Sequence, residues 1–169
     1  QSATTGTELW RTDGTAAGTA LVKDIASGTA SSTPIAFASL GSFGLFYAND
    51  GVAGYELWRT DGTIGGASLV KDINIGSDGS NRYGLPGAFD GRAFFQARTG
   101  GNNNNYELWV SNGTAAGTTL VKEITAGTNG SYPKYVTQVG TKAVFTAFTS
   151  TSGFELWTTD GTAAGTSLL

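Results

Sequence analysis

The sequence predicts an all-β protein, on three observations. One motif occurs four times, at Glu8-Leu9-Trp10, Glu56-Leu57-Trp58, Glu107-Leu108-Trp109 and Glu155-Leu156-Trp157, and these copies hold all four tryptophans of the chain. From glutamate to glutamate the steps are 48, 51 and 48 residues, and an internal repeat of that length defines the architecture before any strand is assigned. The composition is turn-rich, with 26 glycines, three prolines and only 14% charged residues in a chain of 169. No segment carries a helical apolar period.

Each element then follows in order. Thr7 to Arg11 sets Leu9 and Trp10 among polar neighbours and reads as a strand. Thr12-Asp13-Gly14-Thr15 is a turn, because Asp can bond its own downstream backbone and Gly takes a positive φ without a Cβ penalty. Asp61, Asn112 and Asp160 occupy the same position in the later copies. Asn112 favours turn chemistry over cation binding, since it keeps the side-chain acceptor and loses the charge that a hard cation requires. Gly18 to Ile25 is the return strand of the hairpin, rich in residues that pack on a pleated surface. Ala26 to Thr33 is a loop, and Pro34, Pro86 and Pro133 each head a strand, where no ladder donor is needed. Ile35 to Leu40 forms a third strand and Gly44 to Ala48 a fourth, matched later by Ala93 to Ala97 and Ala143 to Ala147. Variable loops at Asn49–Gly54, Arg98–Asn105 and Phe148–Gly153 lead back to the motif. The longer central step comes from changes around Pro86 and in the Asn-rich loop, all outside the motif hairpin, where exposed connections tolerate them.

One repeat is therefore four short strands in about 48 residues, the blade signature of a β-propeller. The expected layout is a single repeat domain over residues 1–169 that opens and closes with the same half repeat, or about three and a half units. A β-trefoil or β-prism is the alternative, although a fourth motif copy argues against simple three-fold symmetry. A propeller of roughly 4–8 blades does not close on a half unit. Unpaired outer strands are edges that natural sheets avoid, so either a homo-oligomer or membership of a longer array is expected. The four tryptophans are expected between blades, filling the wedge-shaped gap. Their neighbouring glutamates are expected to bind backbone donors or a nearby lysine, because a buried carboxylate must be paired.

The run Glu-Leu-Trp-x-x-Asp-Gly-Thr, followed by Ala-Gly-Thr and Leu-Val-Lys-Asp-Ile, resembles the ELWxxDGT repeat family, tandem repeats of large secreted or surface proteins, mostly bacterial. The resemblance covers essentially the whole chain. Asn112 and Glu123 replace Asp, and Gly65-Gly66-Ala67 replaces Ala-Gly-Thr. The resemblance implies a propeller-like fold and an extracellular setting, and it carries no catalytic residues across. Gln1 stands first where a Met would open a chain, which reads as a processed or excised polypeptide.

Function is bounded by what is missing. The chain has no Cys, which removes disulfides, thiolate nucleophiles and zinc-thiolate sites. It has no His, the usual general base and transition-metal ligand. A net charge of -3 gives no footprint for nucleic acid, and no apolar run approaches the roughly 20 residues of a membrane helix. No cofactor is expected. Asn49-Asp50-Gly51 and Ser77-Asp78-Gly79-Ser80-Asn81 lack the acidic ladder, with a distal Glu, of a strong calcium loop. The expectation is a non-catalytic, multivalent carbohydrate binder. Sugars need amide and carboxylate partners for hydroxyls and aromatic faces for C–H surfaces. The variable loops offer Asn49, Asp50 and Tyr55, then Arg98, Asn102, Asn104 and Tyr106. The loops after the hairpins offer Asp78, Asn81, Arg82 and Tyr83, then Asn129, Tyr132, Lys134 and Tyr135. Several weak sites on one rigid body would give avidity for a multivalent glycan. The alternative is a structural or adhesive scaffold that binds proteins or copies of itself. Asn112-Gly113-Thr114 and Asn129-Gly130-Ser131 match the N-glycosylation acceptor pattern.

Overall fold

The computed structural model describes residues 4–81, 87–100 and 104–169. Among them are fourteen strands and no helix. A hairpin of β1 (Leu9–Arg11) and β2 (Ala20–Lys23) comes first. Three four-stranded antiparallel sheets follow, each with its strands in chain order. They are β3 (Ile35–Ser39) to β6 (Ala67–Lys71) through β4 (Gly44–Asn49) and β5 (Tyr55–Thr60), β7 (Gly87–Phe89) to β10 (Thr119–Lys122) through β8 (Arg92–Ala97) and β9 (Glu107–Ser111), and β11 (Lys134–Val139) to β14 (Ser167–Leu168) through β12 (Lys142–Thr149) and β13 (Gly153–Thr159).

The sheets are out of phase with the sequence repeat. A repeat counted from its glutamate contributes two strands to one sheet and two to the next, so the motif hairpin forms the third and fourth strands of every complete sheet. Connection length explains the difference. Residues 50–54 are short enough to turn β4 directly into β5, whereas residues 24–34 between β2 and β3 make a crossover.

The turn reading of the motif holds at all four copies. Asp13 Oδ1 accepts hydrogen bonds from Thr15 N at 2.9 Å and Thr15 Oγ1 at 2.8 Å, and Asp61, Asn112 and Asp160 do the same with Thr63, Thr114 and Thr162. The threonine hydroxyl, then its amide, holds the carboxyls of Asp13, Asp61 and Asp160 below their ordinary value. The folded-over side chain also dictates the second glycine of the motif. A Cβ on Gly18 would lie 2.0 Å from Asp13 Oδ1, and one on Gly117 2.0 Å from Asn112 Oδ1.

The core lies between sheets. Leu9, Val22 and Ile25 of the hairpin pack with Phe46, Ala48, Trp58 and Ala67 of the first full sheet. Leu45, Tyr47, Leu57, Val70 and Ile73 on its other face meet Ala93, Phe95, Ala97 and Trp109. Phe94, Leu108 and Val121 then meet Ala143, Phe145, Ala147 and Trp157. Each of these tryptophans thus packs on the preceding unit. Trp10 departs from the expected burial: it is 45% exposed against 5%, 9% and 8% for Trp58, Trp109 and Trp157, because no unit precedes it among the described residues. Lysines lace the same junctions. Lys23 Nζ donates to Ala67 O at 2.9 Å over the Trp58 ring, Lys71 to Thr118 O at 2.8 Å over Trp109, and Lys122 to Thr166 O at 2.7 Å.

The motif glutamates bind backbone donors, as expected, and also a serine. Glu8 accepts from Ile25 N, Ser32 N and Ser32 Oγ at 2.8, 2.8 and 2.6 Å. Glu56 accepts from Asn74 N and Ser80 Oγ at 3.0 and 2.6 Å. Glu107 accepts from Ile124 N, Thr125 N, Ser131 N and Ser131 Oγ. Each serine carbonyl then accepts an amide from the end of the second strand of the following sheet, namely Asn49 N, Arg98 N and Phe148 N. One carboxylate therefore fastens the crossover that joins two sheets. Glu107→Ala would strand three backbone N–H groups and a hydroxyl, and is expected to cost about 3 kcal/mol or more in urea unfolding. Glu155 is exposed, and Glu155→Ala is expected to stay within about 0.5 kcal/mol of wild type.

Burial, opposed chiefly by the Ser80 and Ser131 hydroxyls, raises the carboxyls of Glu56 and Glu107 above their ordinary 4.5. A raised group stabilises the fold below its unfolded value, and that contribution is lost as pH climbs through the folded value. The three turn aspartates act in the opposite sense, contributing above 3.8 and losing it as pH falls through their lowered folded values. Glu107→Gln removes one raised group and leaves the aspartates intact. Its stability relative to wild type is expected to increase as pH rises from 4.5 through the folded value of Glu107, measured by urea midpoints at stepped pH.

Candidate functional site: a cleft beside the second crossover

A cleft of about 360 Å³ is lined by Asn49, Tyr55, Ser77, Asp78, Gly79, Asn81, Arg98 and Tyr106. Asn49 ends β4 and Tyr55 opens β5, while Arg98 follows β8 and Tyr106 precedes β9. Ser77 to Asn81 come from the crossover that Glu56 fastens through Ser80. The cleft thus forms where one end of the first full sheet meets the same end of the next.

Its walls are built by backbone contact. Ser80 N donates to Tyr55 O at 3.0 Å. Gly79, at φ +66°, lies so close to Tyr55 that a Cβ would sit 2.4 Å from Tyr55 N. Arg98 is held on three sides. Its Nε donates to Gly79 O at 3.2 Å, its Nη2 to Asp78 O at 3.0 Å, and its guanidinium lies 5.6 Å from the centre of the Tyr106 ring. Asn81 is buried and its Nδ2 donates to Gln96 O at 2.8 Å, so part of its hydrogen-bonding capacity serves the wall. Asn49 Oδ1 accepts from Gly51 N at 2.7 Å.

Six residues singled out from sequence therefore converge here: Asn49, Tyr55, Asp78, Asn81, Arg98 and Tyr106. Asp50 does not line the cleft. Its Oδ1 accepts from Val52 N and Ala53 N, both at 2.8 Å, which makes it a turn residue. A second group meets the first at Tyr106. Asn104 bridges Asn129 in parallel fashion, Tyr132 N donates to Tyr106 O at 3.0 Å, and the two tyrosine rings are 5.8 Å apart. Lys134 and Tyr135 correct the loop assignment, since both belong to β11. Lys134 Nζ sits 6.0 Å from the centre of the Phe154 ring, and Tyr135 is exposed. Arg82, Tyr83 and Asn102 lie outside the described residues, as does Pro86.

Two half-buried tyrosines, side-chain amides, the Asp78 carboxylate and a fixed cation give the cleft apolar faces beside hydrogen-bonding groups. Among the described residues no three of His, Cys, Asp and Glu gather as a metal site. Comparison with known proteins adds no precedent. No family model matches the chain, and no curated protein or solved structure shows significant similarity.

Sequence reasoning meets Ser77, Gly79 and Ser80 only as part of a rejected calcium loop, and misses both their place in the cleft wall and the serine's role in organising the site. The available signal was spacing: Ser32, Ser80 and Ser131 each stand 24 positions after a motif glutamate. Gly79→Ala would force both an unfavourable φ and a backbone clash, and is expected to cost about 2 kcal/mol. A thermal melt checks it, with Gly76→Ala as the contrast: Gly76 shares a positive φ but has open space around it.

Proposed function

We propose that this chain is a non-catalytic, lectin-like β-repeat protein whose cleft takes a neutral or weakly polar carbohydrate. The observation that carries the reading is the meeting of Tyr55 and Tyr106 with Asn49, Asp78 and Arg98 around one cleft. An aromatic face matches the C–H surface of a sugar ring, and the amide, carboxylate and guanidinium match its hydroxyls. A volume of about 360 Å³ lies at the small end of ordinary ligand sites, in keeping with one or two sugar units. The adjoining Asn104, Asn129 and Tyr132 make a related cluster at the next junction, which is the basis for multivalent binding.

The layout we favour is propeller-like, each sheet a blade. Its support is that successive sheets pack face to face and that their first strands approach one another, β3 with β7 and β7 with β11. Separate four-stranded meanders favour this over a trefoil. Resemblance of the motif to ELWxxDGT repeats favours an extracellular setting. The second reading, a structural or adhesive scaffold, is favoured by exposed apolar side chains within the repeats, among them Phe37, Val139 and Phe154.

A glycan array with hapten inhibition tests the sugar reading. Binding is expected to fall by about tenfold or more, or 1.4 kcal/mol, in Tyr55→Ala and in Tyr106→Ala while the far-ultraviolet spectrum is kept. Silence across broad sugar classes, or binding untouched by both changes, would sink it.

A further inference from the structure

The chain holds six Asp-Gly and two Asn-Gly pairs. Such pairs are chemically weak, because a glycine without a Cβ lets its amide nitrogen reach the carbonyl carbon of the preceding side chain. The fold keeps seven of the eight from that reaction. At the four motif turns the glycine N–H is given to a hydroxyl two residues earlier. Gly14 donates to Thr12 Oγ1, Gly62 to Thr60 Oγ1 and Gly113 to Ser111 Oγ, each at 3.0 Å, and Gly161 to Thr159 Oγ1 at 2.9 Å. The threonine that follows fixes the side-chain oxygen. Gly51 N donates to Asn49 Oδ1 at 2.7 Å, while Asp50 Oδ1 accepts two amides of its own loop. Gly130 is buried and its N donates to Asn104 O at 3.1 Å. Gly79 is buried too, with its N so near Gly54 that a Cβ there would approach it to 2.5 Å.

Asp90-Gly91 is the exception. Phe89 pairs with Arg92, so these two residues are the whole turn between β7 and β8, at φ of 51° and 66°. Positive φ at both is the I′ hairpin conformation. Both residues are exposed, open space surrounds Gly91, and its N–H has no partner among the described residues. A 3.3 Å contact with Arg92 restrains the Asp90 carboxylate, and a surface pair of that kind holds little. The turn belongs to the middle sheet, which packs against a neighbour on each side. We propose that Asp90-Gly91 is a self-modification site, where aspartate passes through a succinimide to isoaspartate while the two Asn-Gly pairs stay intact. Gly91 N bonds to Asp90 Cγ as the hydroxyl of the protonated carboxyl departs, and that hydroxyl leaves as water with the proton from the nitrogen. Water then reopens the ring. Attack at Cγ restores aspartate, and attack at the backbone carbonyl leaves the chain running through Cβ and Cγ. The added backbone atom falls beside the Phe89–Arg92 pair and loosens the short β7 strand. This inference depends neither on the cleft nor on sugar binding.

Folded and urea-unfolded protein, aged side by side near neutral pH, test it, with isoaspartate read by enzymatic methylation and peptide mapping. The folded chain is expected to carry isoaspartate at residues 90–91 at about tenfold or more the level of any other pair, since those must first open locally. The unfolded chain is expected to react first at Asn112 and Asn129. Asp90→Asn brings the comparison within one chemistry, because Asn-Gly suits the same turn. Ammonia then leaves in place of water. In the folded variant the substituted turn is expected to deamidate about tenfold or more faster than Asn112 or Asn129, with circular dichroism showing the fold retained. Isoaspartate spread evenly over the eight pairs overturns the proposal. So does equal reaction of folded and unfolded chains at Asn112, or a substituted turn no faster than Asn112.

Discussion

The structure depends most on a carboxylate that, among the described residues, pairs with no cation. Glu8, Glu56 and Glu107 are buried, and their oxygens are satisfied by the amides of the chain leaving the sheet and by a serine. A crossover between two sheets has no ladder of its own, so its N–H groups need acceptors from elsewhere. A single buried carboxylate can serve several at once, and charge-assisted bonds are the stronger kind. The serine then passes the constraint on, because its carbonyl holds the next sheet through Asn49, Arg98 or Phe148. Burial works against ionisation of Glu56 and Glu107. The hydrogen bonds offset part of that cost, which is why the donors must be this numerous.

With crossovers fastened in this way, the sheets behave as a one-dimensional stack in which each unit contacts its neighbours. No single central core exists among the described residues, only a series of junctions of similar make-up. Phe46, Phe95 and Phe145 recur on one face, and Leu57 and Leu108 on the other. Among the described residues, a unit with a neighbour on each side buries both faces and a unit with one neighbour buries one. The exposure of Trp10, Leu156 and Leu169 is a direct outcome of that arrangement rather than a local irregularity.

Much of this was legible in the sequence. The turn role of Asp13 and its equivalents follows from side-chain chemistry confined to two residues, and Asn112 already excluded a dependence on charge. Strand positions followed from local composition. The grouping of strands into sheets did not, because a motif defines a period without defining where the unit begins. Only the contrast between the short residues 50–54 and the longer residues 24–34 separates hairpin from crossover. The serine partners were hidden for a different reason. Ser, Thr and Gly are abundant in every loop, so a single functional serine is inconspicuous unless its distance from glutamate is measured. Trp10 departs from the other three because equivalence in sequence is not equivalence in surroundings. Of the candidate site, the side chains of Asn49, Tyr55, Arg98 and Tyr106 were legible as loop or loop-edge residues. The backbone wall formed by Gly79 was not.

The cleft and the fastening carboxylate are physically the same feature seen from two sides. Ser80 bonds Glu56 with its hydroxyl, Tyr55 with its amide and Arg98 with its carbonyl, and Gly79 beside it carries the Arg98 guanidinium. The position after the serine can therefore vary without loosening the junction, because the load passes through backbone and through one hydroxyl. The chain uses that freedom. Ser80 is followed by Asn81 where the equivalent residues are Thr33 and Tyr132, and four extra residues separate it from the next proline. A junction of this design keeps its geometry while its rim changes chemistry, which is the condition for a repeat to present different surfaces from one invariant frame.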